Sequence, residues 1–216
     1  MARQLFFRKP FRYSFFNATL ILILLNFAAF AFCSLNRTYN WTAMLSLNVI
    51  CVNHYHMFWQ FFTYMFMHGS FSHIFFNMLG LLMFGITLER AIGSKELLLF
   101  YFFCGLLSGV CSYVVYLVSG QIYAFLLGAS GALYAVLFAY AVFFPRSIIY
   151  IWGIIPVPAP ILVLLYALIE IFDQIFGYRQ GVAHLTHLFG FLAAYLYFVI
   201  RMGIHPIKIW KNEYKK

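Results

Sequence analysis

Gly128-Ala129-Ser130-Gly131 opens one long apolar run of this chain, and Ala183-His184-Leu185-Thr186-His187-Leu188-Phe189-Gly190 opens another. A serine hydroxyl becomes a competent nucleophile when a neighbouring histidine takes its proton. Ser130 facing a histidine from the other run would therefore support acyl transfer. His184 and His187 are three residues apart and share a helix face, so spacing leaves both open as the base. A third run begins with His68, His73 and Asn77. His73 and Asn77, at i and i+4, can aim N–H donors at a developing oxyanion from one face. Each residue also has a plainer reading. Membrane serines commonly bond their own helix backbone, asparagine joins helices at about 0.6 kcal/mol, and a histidine near a helix end reaches interfacial water. An ionisable group inside a membrane run is nevertheless costly, and so points to function.

The elements that must position these residues are membrane helices. Of 216 residues, 65% are hydrophobic and 9% charged, which excludes a soluble domain. A span needs roughly 20 apolar residues, and six runs meet that, at about 13–34, 69–88, 97–119, 126–144, 159–177 and 184–202. The expected fold is an all-α membrane protein, a single six-helix domain. Pro156, Pro158 and Pro160 argue against helix over 150–160, which reads as an interfacial connector.

Charge sets the orientation. With the N-terminus inside, the inner segments hold Arg3, Arg8, Lys9, Arg12, Arg90, Lys95, Arg146, Arg201, Lys208, Lys211, Lys215 and Lys216. The outer loops hold only Arg37 and Arg179. Twelve against two predicts both termini in the cytoplasm. The +9 net charge follows from this bias and from an anionic leaflet, and calls for no nucleic-acid partner. The first apolar run reads as a retained helix rather than a signal peptide, and the start of the chain does not resemble a transit peptide, so the expected setting is multi-pass in a bacterial inner membrane. Cys33 and Cys51 flank the first outer loop, where they either pair or remain free thiols.

This orientation gives the polar residues a common depth. Ser130 is expected about one turn into the fourth helix, roughly 6 Å down, with the two histidines in the first turns of the sixth and His73 and Asn77 early in the second. Gly128 and Gly131 leave space around the hydroxyl. Gly131, Ala135 and Ala139 on one helix, and Gly190 and Ala194 on the other, allow close approach. That packing brings His187 towards Ser130 and leaves His184 nearer the water. Tyr134 shares the Ser130 face and can stack on the base. No carboxylate is expected at this level: Glu89 and Glu96 are cytoplasmic, and Glu170 and Asp173 lie late in the fifth helix. The expectation is a slow Ser–His dyad.

From about Trp59 to the sixth helix the chain resembles the rhomboid family of intramembrane serine proteases. The family's His-x4-His-x3-Asn is matched by His68, His73 and Asn77, and its Glu-x3-Gly by Glu89 and Gly93. Its Gly-x-Ser-Gly-x-x-Tyr corresponds to Gly128, Ser130, Gly131 and Tyr134, and its His-x-x-Gly to His187 and Gly190. The resemblance implies Ser130 as nucleophile and His187 as base, favoured over His184 by the glycine that follows. It implies an oxyanion site of the Ser130 N–H, His73 and Asn77, with His68, Tyr134 and the glycines in support. It also implies transmembrane protein substrates cut near the outer face, and neither cofactor nor metal. Trp59-Gln60 stands where many members have Trp-Arg, and Ala194 where glycine is usual.

Two rivals compete. One is a catalytically silent, derlin-type protein that binds membrane clients; such proteins lack the dyad. The other is a carrier of metal or haem using His68, His73, His184 and His187, which lacks a thiolate or carboxylate partner in the membrane. Nothing in the sequence indicates an oligomeric state.

Overall fold

The computed structural model describes residues 10–36, 38–151, 153–177 and 184–215. Arg3, Arg8, Lys9, Arg37, Arg179 and Lys216, used in the charge argument, lie outside them, as does Ala183. Helix α1 (Ala18–Leu35) is followed by a loop region carrying α2 (Trp41–Leu45), α3 (Val49–Tyr55) and α4 (Gln60–Thr63). Next come α5 (Phe71–Gly80), a π-helical turn (Leu81–Gly85) and α6 (Ile86–Ile92), which form one continuous span, then α7 (Ser94–Val118) and α8 (Ser130–Phe143). An antiparallel hairpin, β1 (Ile148–Ile151) and β2 (Ile155–Pro158), leads to α9 (Ala159–Phe176). α10 (His184–Tyr197) runs through a π turn to Met202, and α11 (Pro206–Glu213) closes the described chain.

Five of these helices are long and apolar enough to cross a membrane, and α8, at 14 residues, is shorter. The protein is an integral, multi-pass membrane protein. α8 packs against α7, α9 and α10, and its small residues Ala132, Ala135, Ala139 and Ala141 are fully covered. A central helix of small residues lets its neighbours approach closely, which replaces the hydrophobic drive that lipid removes.

The fold is mostly helical, as expected, and the connector over 150–160 forms a hairpin. Ile148 faces Pro158 and Tyr150 faces Pro156, so the connector pairs with itself. Proline is compatible with such a strand because a two-stranded hairpin leaves each strand an outer edge that needs no N–H. The first helix starts at Ala18, not near 13. Its first N–H groups, on Ala18 and Thr19, donate to the Glu89 carboxylate at 2.6 and 2.9 Å, and Ser94 Oγ donates to the same group. Glu89 thus caps α1 from another helix.

Gln60 ties down the loop region between α1 and α5. Gln60 is buried; its Oε1 accepts the Asn48 N–H, and its Nε2 donates to the carbonyls of Ala43 and Met44. The Trp59 indole donates to Met44 as well. Gln60→Ala removes the side-chain partner of the Asn48 N–H and the Ala43 carbonyl, while Met44 keeps the Trp59 indole, and is expected to cost about 1–3 kcal/mol. A lowered thermal unfolding midpoint in detergent is the check, and an unchanged midpoint would contradict this role. Cys33 and Cys51 remain separate thiols; Cys33 Sγ lies 3.9 Å from the Met67 sulfur.

Candidate active site

The backbone before Ser130 is held by pairing, not by helix. Leu126 and Leu47 exchange N–H···O bonds of 2.8 and 2.9 Å, and the Gly128 N–H donates to the Tyr64 carbonyl at 2.9 Å. Gly128 then turns through φ 121°, a conformation that side chains avoid. A Cβ at Gly128 would also lie 2.8 Å from His73 Nε2. Helix therefore cannot begin at 126. Ser130 is the first residue of α8, not one turn inside it.

That shift changes the depth argument. Fourteen residues extend about 21 Å, against a hydrocarbon core of about 30 Å, so one end of α8 must stop below the membrane surface. The end bearing Ser130 is the one roofed by the Leu47–Leu126 pairing, next to the loop region between α1 and α5. Depth comes from a short helix rather than from a residue placed partway along a long one.

Ser130 Oγ and His187 Nε2 are 2.8 Å apart. Three contacts set that distance. The Tyr134 ring, one turn on from Ser130, stacks on the His187 imidazole at 4.2 Å between centroids and 11° between planes. Thr186 and Ser112 share a 2.6 Å hydrogen bond that ties α10 to α7. Gly190 lies against the backbone of α8, where a Cβ would meet the Gly131 carbonyl oxygen at 2.2 Å.

His73, half-buried, places its ring over Gly128 next to Ser130. Asn77 is buried beneath it, with Nδ2 donating to the His73 carbonyl at 3.0 Å. That bond uses one of the two amide hydrogens. The His68 ring meets His73 edge-on at 5.0 Å, with Nδ1 3.3 Å from the Phe66 carbonyl. Burial first, and the charge of His73 second, push His68 down to about 4, so it is a neutral imidazole at physiological pH. The set gathered around Ser130 is thus His187, His73, Gly128 and Tyr134, with His68 one shell out.

Two expectations are overturned. His184 does not remain in water: it is buried, and its Nδ1 is 2.5 Å from Glu170 Oε2. Nor is the site without a carboxylate. Glu170 Oε1 accepts the Tyr134 hydroxyl at 2.5 Å and lies 3.0 Å from His187 Nδ1. The reason is helix phase. Ala159, Val163, Glu170 and Asp173 occupy the buried side of α9, so the acid points into the bundle where α10 begins. Carboxylates inside a membrane-length apolar run, Glu170 and Asp173, were themselves the signal. Distance from the helix end had set them aside.

These features define a polytopic helical membrane protein in which a 14-residue helix carries a serine in contact with a buried histidine. The family model for the Rhomboid domain matches residues 55–203, more than half of the chain, and takes in every residue of this cluster. The protein belongs to the rhomboid family, whose members are generally intramembrane serine proteases.

Proposed function

We propose that this chain is an intramembrane serine endopeptidase that cuts transmembrane segments near the outer face of the membrane, with both termini in the cytoplasm. The observation that carries the reading is the 2.8 Å contact between Ser130 Oγ and His187 Nε2. That distance suits direct proton transfer. As Oγ attacks a substrate carbonyl, its proton passes to His187 Nε2, and the carbonyl electron pair moves onto oxygen. The same proton then goes to the departing amine, and water hydrolyses the acyl-enzyme. Three donors are available to the oxyanion: the Ser130 N–H, free because it opens a helix, the His73 ring, and the second Asn77 amide hydrogen. His187 is preferred to His184 as base because its Nε2 is the nitrogen that meets Ser130 Oγ, whereas His184 lies against Glu170 instead.

The side on which α8 ends at Phe143 also bears Arg90, Lys95 and Arg146, and the Ser130 end lies opposite, in keeping with an outward-facing site. The lipid bilayer is the working medium, and substrates are the spans of other membrane proteins whose helices can open locally.

The test uses purified protein in liposomes with a single-span substrate and, separately, a fluorophosphonate probe. Two fragments cut near one membrane face, and an adduct mapped to Ser130, are expected. A folded protein that neither cleaves nor is labelled would overturn the proposal and leave a client-binding, derlin-type role.

A further inference from the structure

Glu170 has no part in a two-residue mechanism, yet it is among the most completely buried polar groups described, at 1% exposure. A lone carboxylate in a membrane bundle is expensive to keep unless donors surround it. Here three do. Oε1 takes the Tyr134 hydroxyl and faces His187 Nδ1, and Oε2 takes His184 Nδ1. Two of these contacts come from α10 and one from α8, so a single side chain of α9 joins both helices that carry the reacting pair.

We propose that Glu170 is a positioning residue that acts through His187, converting the pair into a Ser130–His187–Glu170 relay held by Tyr134 and His184. This rests on the serine-peptidase reading above.

The argument is one of tautomers. To accept the Ser130 proton, Nε2 must be bare, so the ring proton belongs on Nδ1. Glu170 Oε1 stands 3.0 Å from that nitrogen and can only accept. The opposite tautomer would set a lone pair against a carboxylate in a low-dielectric site. At that 3.0 Å distance Nδ1 makes no hydrogen bond of good geometry as it stands. Catalytic hydrogen bonds commonly tighten once substrate is bound. When Nε2 gains the serine proton, the imidazolium lies between the attacking oxygen and a fixed negative charge. The carboxylate neither gains nor loses a proton; it orients the ring and stabilises the cation.

Tyr134 makes the arrangement rigid. Its ring stacks on His187 while its hydroxyl holds Oε1, so acid and base are located by the same side chain. The hydroxyl lies 36 residues from Glu170 in sequence, and no local pattern announces the pairing.

Glu170→Gln is the direct test, since it keeps size and removes charge. With wild type cleaving a transmembrane substrate, kcat should fall about 10²–10³-fold while KM holds, and fluorophosphonate labelling of Ser130 should slow by a similar factor. A purely structural role would instead lower the unfolding midpoint and raise KM or reduce the active fraction. Glu170→Gln within about threefold of wild-type kcat would overturn the inference and leave the peptidase reading intact. If wild type neither cleaves nor is labelled, the peptidase reading fails and this inference falls with it. Should Glu170→Gln not accumulate as folded protein, Tyr134→Phe supplies the second measurement. It keeps the stack and the charge but frees Oε1, and about a 3–10-fold loss in kcat at constant KM is expected. No change there would count against the relay.

Discussion

Ser130→Ala abolishes cleavage: kcat is expected to fall about 10⁴–10⁶-fold, to the level that binding and the oxyanion donors alone can support. The effect is this large because, among the described residues, the hydroxyl is the one group in contact with His187 Nε2 that can form an acyl-enzyme. Alanine at the first position of α8 does not threaten the helix, as it is the best helix former. His73, Glu170 and Tyr134 touch other atoms and should stay in place. His187→Ala should cost about as much, and the double substitution no more than either, because nucleophile and base act as one unit. Fragment yield from a single-span substrate at matched protein levels reads all three. Cleavage by Ser130→Ala at the wild-type rate would end the proposal at once.

Much of the fold could be read from residues alone because lipid simplifies the problem. Runs such as 159–177 and 184–202 anticipate α9 and the α10 span to within about a residue, since length and hydropathy are nearly sufficient in a bilayer. The serine and histidine motifs were legible for a related reason: a polar side chain in an apolar run stands out. What could not be read depends on pairing at a distance. Leu47 and Leu126 look like any apolar residues, yet their backbone bridge decides where α8 begins and so how deep Ser130 sits. The hairpin was hidden because its prolines argue against helix without saying what strand partner they have. Glu170 was visible, but its use was not. Whether it faces lipid, water or His187 depends on how α9 is rotated against α10, and a hydrophobic run reports length far better than rotation.

Gly190 offers the second large effect, and it tests packing rather than chemistry. A Cβ there would stand 2.2 Å from the Gly131 carbonyl oxygen, 3.1 Å from its carbon and 3.3 Å from Tyr134 Cβ. Two of these atoms are backbone in the first turn of α8, so no rotamer change relieves the contact. The helices must separate by about 1 Å to reach ordinary contact distance, and the Ser130–His187 distance opens with them. Misplacement of that size costs about 10²-fold in rate. Gly190→Ala is therefore expected to lose at least that much kcat with about 1–3 kcal/mol of stability, while Gly190→Leu should fail to accumulate as folded protein. Gly105→Ala is the matched comparison. Its Cβ would meet Met65 Cε at 2.1 Å, nominally as severe. That atom is the end of a flexible thioether that can swing aside, and activity within about threefold of wild type is expected. Equal losses at the two glycines would mean that crowding in general, not the α8–α10 approach, sets the reacting distance. A large loss at Gly190 alone would tie the chemistry of Ser130 to the close approach of α10 to the Gly131 backbone.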